Sequence, residues 1–105
     1  MRKDITKILT TIPKLPGIYI MKDCRGEILY IGKAKSLKLR VRSYFQKSRH
    51  MPIRTRIFTD KVQDIKFLTT ATEAEALILE SNFIKKHQPR YNVLLKDDKH
   101  YPYLR

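Results

Sequence analysis

The pattern of hydrophobic and polar residues first predicts a short amphipathic helix near the N-terminus. Its apolar residues recur at the spacing of one helical face: Ile5, Ile8, Leu9 and Ile12. Pro13 and Pro16 end this helix, because proline lacks the backbone donor that a helix interior needs. The following segment must therefore start a different element.

Two runs with the composition of β-strands come next and predict a hairpin. Gly17 to Lys22 and Glu27 to Gly32 are rich in Ile and Tyr, and the turn-like segment Asp23 to Gly26 separates them. All three glycines of the chain lie at positions 17, 26 and 32. Their clustering indicates that the backbone geometry of this hairpin is tightly specified.

Two short helices are predicted in the middle of the chain. Ser36 is a suitable N-cap for a helix from about Leu37 to Phe45, on which Arg40 and Tyr44 share one face. Pro52 is a favourable first residue for another helix. We expect that second helix to direct two apolar side chains inward, Ile53 and Ile57.

The last predicted elements are a third strand and a long helix. Residues Asp64 to Thr69 alternate as a strand does. Thr72 and Glu75 form a capping box at the start of a helix that runs to about His87 and ends before Pro89. This order of elements predicts an α+β fold in which helices flank a small three-stranded sheet.

Composition limits the size and the class of the protein. A chain of 105 residues with 42% hydrophobic content supports one core, so we expect residues 1–105 to form one domain. The lone Cys24 excludes a disulfide scaffold, and the absence of long apolar runs argues against a membrane span or a secretory signal. We therefore expect a cytoplasmic location. The C-terminus, at Tyr101 to Arg105, does not taper into polar residues, which is typical of a fragment from a longer multidomain protein.

The charge points to a polyanionic partner. Lys and Arg number 23 against 10 acidic residues, a formal net charge of +13. No acidic residue lies between Glu27 and Asp60, a stretch that holds nine cations. Those expected to contact a nucleic-acid backbone are Lys33, Lys35, Lys38, Arg40, Arg42 and Lys47. Binding through phosphates predicts no preference for base sequence.

Tyrosines and one glutamate are the candidate chemical groups. Tyr19 and Tyr30 are either core residues or, beside Lys and Arg, groups for proton transfer. Glu80 has apolar helical neighbours, Ala76, Leu77, Phe83 and Ile84. It is either an edge partner of Lys85, Lys86 or Arg90, or a metal ligand or acid/base group. The three histidines lack the spacing of zinc ligands.

The tripeptides GIY at 17–19 and YIG at 30–32 resemble the defining pair of the GIY-YIG nuclease family. Further segments are similar to the N-terminal nuclease domain of UvrC-type excinuclease subunits: LYIGKAK at 29–35, RSYF at 42–45, TEAEALILE at 72–80, PRYNV at 89–93 and KDDK at 96–99. The resemblance covers nearly the whole chain and is weakest at 1–11 and 46–66.

This resemblance implies a divalent-metal-dependent DNA endonuclease domain that makes the 3′-side incision in nucleotide excision repair. It implies Mg²⁺ as cofactor, with Mn²⁺ as a substitute, and damaged duplex DNA as substrate. It also implies a UvrB-type helicase subunit as a partner, contacted through domains that this chain lacks. No membrane partner is expected.

The resemblance also assigns roles to seven residues. Glu80 matches the carboxylate ligand of the metal, and Tyr19 and Tyr30 match the tyrosines at the reacting phosphate. Lys33 and Arg40 match the cations that hold that phosphate. Two polar groups complete the pocket, Tyr44 and Asn92. We favour Tyr30 as the general base, because Lys33 follows three residues later and would lower its pKa, but the reverse assignment with Tyr19 stays open.

Two other functions fit part of the sequence. A non-catalytic basic nucleic-acid-binding module needs only the cations, and it leaves Glu80 among apolar neighbours unexplained. A stand-alone structure-specific GIY-YIG nuclease is opposed by the UvrC-type segment from Lys96 to Tyr103. The endonuclease of excision repair is the interpretation that accounts for most residues.

Overall fold

The computed structural model describes residues 5–45 and 53–92 of the chain. Four helices and three strands are present in these ranges, in the predicted order: α1 (Ile5–Thr11), β1 (Gly17–Lys22), β2 (Ile28–Ala34), α2 (Leu37–Phe45), α3 (Ile53–Lys61), β3 (Asp64–Thr69) and α4 (Glu73–His87). Residues 90–92 are also helical. The order confirms the α+β fold. Pro52 and the segment after Asn92 lie outside the described residues.

The three strands form one antiparallel sheet in the order β2-β1-β3. The central strand β1 pairs Tyr19 with Gly32 on β2 and with Phe67 on β3. Strand β2 starts one residue later and ends two residues later than predicted, because Lys33 and Ala34 pair with β1 opposite Ile18 and Gly17. Pairing across the hairpin overrides the weak strand propensity of Lys and Ala.

Helices cover both faces of the sheet. On one face α1, α2 and α3 enclose the larger core, which includes Ile12, Leu37 and Phe58. On the other face α4 packs Ala76 and partly buried apolar residues against Ile18, Ile20 and Ile31. Because β2 is an edge strand, its outer side is open to groups from α4 and from the segment that follows.

Helix α3 presents a different side to the core from the one that the sequence predicted. Ile53 and Ile57 are 71% and 45% exposed, so the expectation that they face inward is wrong. Phe58 is fully buried instead, in ring contact with Tyr30 and Tyr44. A large aromatic side chain fills the space between α2 and the sheet and thereby sets the rotation of α3.

The long helix α4 has the predicted N-terminal cap. The hydroxyl of Thr72 accepts a hydrogen bond from the Glu75 N–H at 3.1 Å. The carboxylate of Glu75 reaches back to the N–H of Ala71 at 2.8 Å, one residue before the cap. Gln88 ends the helix in the left-handed conformation, just before Pro89. No helix in residues 5–45 or 53–92 has the length and hydropathy needed to cross a bilayer.

Candidate active site

Three tyrosines from the hairpin and α2 form one aromatic cluster. The ring centroids of Tyr19, Tyr30 and Tyr44 lie 5.7 to 6.2 Å apart. The hydroxyls of Tyr19 and Tyr44 are joined by a hydrogen bond of 2.8 Å. Tyr19 is buried, whereas Tyr30 and Tyr44 are half-buried. Tyr30 is therefore one of the phenols of this cluster that solvent can reach.

Gly32 makes room for this cluster. It lies opposite Tyr19 in the antiparallel pair, and a Cβ at position 32 would overlap the Tyr19 ring. Gly17 is constrained in a similar way, because a Cβ there would overlap the backbone of Leu68 on β3. These two glycines confirm that the hairpin geometry is tightly specified. Gly26, in the turn, has a φ of 82° and open space around it.

Phe58 supports the cluster from behind, and the sequence analysis missed it. Its ring stacks on Tyr30 at 5.1 Å between centroids and also contacts Tyr44 at 5.8 Å. Its position five residues after Ile53 lies outside the i, i+4 pattern used to predict the inward face of α3. The available signal was size, since Phe58 is the largest apolar side chain of that helix.

Arg40 places a cation against the tyrosines. Its guanidinium lies 5.4 Å from the centre of the Tyr44 ring, as expected for residues one turn apart on α2. Although its own desolvation opposes the charge, the nearby Tyr44 and Tyr19 raise the pKa of Arg40, so it stays protonated. The prediction that Arg40 and Tyr44 share one face of α2 is confirmed.

The phenols hold their protons more tightly than free tyrosine does. Burial raises the pKa of Tyr19 well above its usual range, and the neighbouring Tyr44 and Tyr30 add to this. Burial is also the main cause that raises the pKa of Tyr30, followed by Tyr44 and then by the charge of Glu80. The cation that opposes these increases is Arg40. The expectation that Lys33 lowers the pKa of Tyr30 is therefore wrong, because desolvation outweighs the nearby charges.

The outer edge of β2 is occupied by two polar side chains. The Asn92 amide accepts from the N–H of Ile31 at 2.7 Å and donates to its carbonyl at 2.8 Å, as a neighbouring strand would. Two residues further along, the N–H of Lys33 donates to Oε2 of Glu80 at 3.1 Å. The outward-facing N–H groups of Ile31 and Lys33 thus both have a hydrogen-bond acceptor, and Glu80 is held beside the end of β2.

Glu80 is half-buried, and its surroundings are only partly those expected from the sequence. Ala76 is buried, but Leu77 is 51% exposed. Burial raises the pKa of Glu80, while the charge and the backbone N–H of Lys33 act in the opposite direction. Within the described residues, Glu80 makes no ion pair with Lys85, Lys86 or Arg90, so the edge salt bridge with these residues is not formed. Its other oxygen, Oε1, accepts no hydrogen bond from them.

The predicted DNA-binding cations lie at the end of β2 and on α2. Lys33 is not free of counter-charge, since its ammonium lies 3.6 Å from a Glu73 carboxylate oxygen on α4. Lys35 and Arg42 are exposed and Lys38 is half-buried. Within the described ranges, the ion pairs found do not involve Lys35, Lys38, Arg40 or Arg42. Lys47 lies outside the described residues.

The donor set at this site suits a hard cation that keeps most of its water ligands. In residues 5–45 and 53–92, no three His, Cys, Asp or Glu side chains come together as a metal cluster. A single carboxylate with an unengaged oxygen matches Mg²⁺, which binds proteins through one or two carboxylates and retains water. The charge of Glu80 is one of the causes that raise the pKa of Tyr30, so the carboxylate acts on the tyrosine cluster.

The site combines tyrosines from both strands of the hairpin with glycines beneath them and a glutamate at the strand edge. Together with the three-stranded sheet and its helices, these residues define a GIY-YIG nuclease fold. The chain belongs to the family of UvrC-like GIY-YIG domains, whose family model matches residues 15–93.

Known relatives agree with this assignment. The chain is 56% identical over 94 residues to UvrABC system protein C of Carboxydothermus hydrogenoformans and 58% identical over 96 residues to that of Synechocystis. These alignments cover 90% and 91% of this chain but only 16% and 15% of the relatives. The chain thus spans about a sixth of their length.

A solved structure is similar across the described fold. The GIY-YIG N-terminal endonuclease domain of UvrC from Thermotoga maritima, bound to its catalytic divalent cation magnesium, matches with a TM-score of 0.75. The two are 36% identical, and the match covers 87% of this chain and 98% of that domain.

Proposed function

We propose that the chain is a divalent-metal-dependent DNA endonuclease domain that hydrolyses one phosphodiester bond. The observation that carries this proposal is the hydrogen bond from the Lys33 N–H to the half-buried carboxylate of Glu80, on the same strand that carries Tyr30, whose pKa the charge of Glu80 helps to raise. In a module that only binds DNA, a half-buried carboxylate would cost desolvation energy and would reduce the positive potential that attracts DNA. In a metal-dependent nuclease the same carboxylate has a function, because it would bind the cation.

Glu80 is the group that would hold the cation. The hydrogen bond from Lys33 N–H orients its carboxylate through Oε2, so that Oε1 is available as a ligand. What Mg²⁺ supplies at such a site is positive charge beside the phosphate and the departing 3′-oxygen. Mn²⁺ has similar oxygen-ligand preferences, and we propose that it substitutes.

Arg40 and Lys33 are proposed to bind the scissile phosphate. Arg40 keeps its charge and offers several donors from the α2 side of the cluster. Lys33 lies on the other side, next to Glu80. Two cations placed on either side of the phosphate would offset the charge that develops in the transition state.

Tyr30 is the proposed proton acceptor for the attacking water. Its accessibility supports this choice over Tyr19, whose hydroxyl is buried and bonded to Tyr44. Because the pKa of Tyr30 is raised, only a small fraction is phenolate at neutral pH. The hydrolysis rate should therefore rise with pH.

Asn92 and Tyr44 are proposed to act as positioning residues. Both polar ends of the Asn92 side chain are used by the backbone of Ile31, which keeps β2 and therefore Tyr30 in place. The Tyr44 hydroxyl bonds that of Tyr19, while its ring contacts Arg40. Neither residue needs to touch the reacting atoms.

The parent protein's role is a further part of the proposal. The family and the names of the relatives support a role in the UvrABC system, and we propose that this role is 3′-side incision of damaged duplex DNA in nucleotide excision repair. We propose that a UvrB-type helicase subunit is contacted through domains beyond this chain, and that the protein acts in the cytoplasm. Lys35, Lys38, Arg42 and Lys47 would contact the DNA backbone outside the catalytic centre.

A domain exchange tests this function. The chain would replace the corresponding domain of the Carboxydothermus relative, and the chimera would be assembled with the other subunits on an end-labelled damaged duplex. We expect a Mg²⁺-dependent incision on the 3′ side of the lesion. The same chimera with Glu80→Gln should make no 3′ incision. A chimera that binds the duplex and leaves the 3′ side intact would contradict the proposal.

A further inference from the structure

A cleft lined by basic residues lies at the opposite end of β2 from Glu80. It is enclosed by the hairpin turn, the end of α3 and the segment after α4, and it has a volume of about 320 Å³. Three cations from these separate parts of the chain line it: Arg25, Lys61 and Arg90. None of them belongs to the cation run that the sequence assigned to DNA.

Tyr91 lines this cleft and is itself buried. The ammonium of Lys61 is 5.7 Å from the ring centre and the guanidinium carbon of Arg90 is 5.8 Å from it. The hydroxyl of Tyr91 accepts a hydrogen bond from Lys61 Nζ at 3.1 Å. Because an ammonium only donates, the Tyr91 hydroxyl keeps its own proton for another acceptor, and no described residue accepts it.

Two carboxylates, Asp23 and Glu27, also line the cleft, and against its three cations they leave an excess of one positive charge. Oδ1 of Asp23 accepts the N–H groups of Arg25 and Glu27 at 2.8 and 2.9 Å, so it is turned into the hairpin loop. In the described ranges no ion pair links Lys61 or Arg90 to an acid. The cleft therefore offers a hydroxyl donor bonded to Lys61, with Arg90 against the same ring, and such a set of donors complements a phosphate group.

The cleft is aligned with the candidate active site. Leu29 lines the cleft and Lys33 bonds Glu80, four residues along the same strand, which spans about 13 Å at ~3.3 Å per residue. The rings of Tyr30, Phe58 and Tyr91 connect the two places at 5.1 and 5.5 Å between centroids. The cleft and the cleavage position therefore lie along one strand of the sheet, at a separation that a DNA strand of a few nucleotides can span.

We infer that Lys61, Arg90 and the hydroxyl of Tyr91 form a second phosphate-binding subsite, which holds the DNA backbone a few nucleotides from the scissile bond. This inference rests on the proposed nuclease function. The subsite contributes binding and register, whereas the chemistry stays at the Glu80 end of β2.

The test measures binding of a short undamaged duplex to the chain in the absence of divalent cations, over a series of salt concentrations. The Lys61→Ala, Arg90→Ala double variant should bind about tenfold more weakly at low salt. When its log affinity is plotted against the log of the salt concentration, the slope should be smaller in magnitude by about 1 to 2, because each lost phosphate contact removes ~0.9 from the slope. A slope equal to that of the wild type would overturn the inference, and would point to an acidic polypeptide as the partner of the cleft.

Three single variants keep the test independent of folding defects. Tyr91→Phe keeps the ring and removes only the hydroxyl, so it should weaken binding several-fold. Glu27→Gln removes a carboxylate from the cleft and should strengthen binding. Lys66→Ala is the control for net charge, since Lys66 is exposed on β3 at the opposite edge of the sheet, 3.8 Å from Asp64, and it should leave the slope unchanged. An equal effect of Lys66→Ala would show that only net charge matters and would overturn the subsite.

Failure of this subsite can be separated from failure of the nuclease proposal. The binding experiment contains no divalent cation, so it does not depend on catalysis. In the incision assay, the Lys61→Ala, Arg90→Ala variant should need about tenfold more DNA than the wild type to reach its half-maximal rate. An unchanged DNA requirement would contradict the subsite and would leave the nuclease proposal intact.

Discussion

The backbone N–H of Lys33 donates a hydrogen bond to Oε2 of Glu80, 3.1 Å away, across the outer edge of β2. This contact joins a residue of the hairpin to one in α4, 47 positions later in the chain. It orients the carboxylate without supplying enough positive charge to offset the cost of burial, since the pKa of Glu80 remains raised. A bound cation would stabilise the negative charge of a carboxylate held in this way.

Glu80→Gln should separate metal binding from folding. The amide oxygen of glutamine can still accept the Lys33 N–H, and a neutral group removes the cost of a half-buried charge. Because the pKa of Glu80 is raised in the folded state, its carboxylate opposes folding above that pKa and the opposition fades as the pH falls. In EDTA at neutral pH the variant should therefore melt at the wild-type temperature or slightly above it.

Addition of a divalent cation should change the melting temperature of the wild type but not that of Glu80→Gln. Mg²⁺ or Mn²⁺ should raise the melting temperature of the wild type, because a ligand that binds the folded state stabilises it. The cation should leave the melting temperature of Glu80→Gln unchanged. An equal shift in both proteins would place the bound cation away from Glu80.

Arg40→Ala should lower the rate of incision, whereas Lys38→Ala should affect only DNA binding. Arg40 contacts the tyrosine cluster, whereas Lys38 is on the same helix with no ion pair among the described residues. Loss of Arg40 should lower the single-turnover incision rate at saturating DNA by about a hundredfold or more, which corresponds to ~3 kcal/mol of transition-state stabilisation. Lys38→Ala should weaken DNA binding by ~1 kcal/mol or less and spare that rate. Equal rates for both variants would remove Arg40 from the chemistry.

Gly32→Ala should disturb the tyrosine cluster, and Gly26→Ala provides its control. A methyl group at position 32 overlaps the Tyr19 ring, so the variant should lose at least ~2 kcal/mol of unfolding free energy. At position 26 the surrounding space is open, and only the positive φ opposes alanine, at a cost of ~1 kcal/mol. Urea unfolding measures both. A smaller loss at position 32 than at position 26 would show that Tyr19 moves aside easily.

The pH dependence of incision should reflect a tyrosine that is protonated at rest. Since the pKa of Tyr30 is raised, the phenolate fraction grows tenfold per pH unit across the neutral and mildly alkaline range. With the cation saturating, the single-turnover rate should rise over this range with a slope near one on a logarithmic scale. A plateau around neutral pH would mean that Tyr30 is not the proton acceptor. The Tyr30→Phe variant should lose both the rate and the slope.

Local patterns in the sequence were sufficient to predict the elements of the fold. The proline stops, the capping box of Thr72 and Glu75 and the hairpin turn act within a few residues, and all were found as predicted. The end of β2 was misplaced because Gly32 looked like a strand terminus, whereas it is kept in the strand by its close contact with Tyr19. That contact depends on pairing across the sheet, which local propensity does not report.

The candidate site was predictable as a set of residues but not in its electrostatics. Proximity in sequence suggested that Lys33 would lower the pKa of Tyr30, yet alternation along β2 separates their side chains. Burial among Tyr44, Phe58 and Tyr19 decides that pKa instead. The partners of Glu80 and Asn92 on the edge of β2 likewise depend on the packing of α4 and the following segment against the sheet.

The position of the bound cation tests the central claim most directly. Crystals of the chain soaked in Mn²⁺ and measured for anomalous scattering should show one strong peak within coordination distance of a Glu80 carboxylate oxygen, with water as the other ligands. Crystals of Glu80→Gln treated in the same way should lack this peak. A peak elsewhere in the wild type, or one that persists at this place in the variant, would contradict the assignment of Glu80 as the metal ligand of the nuclease.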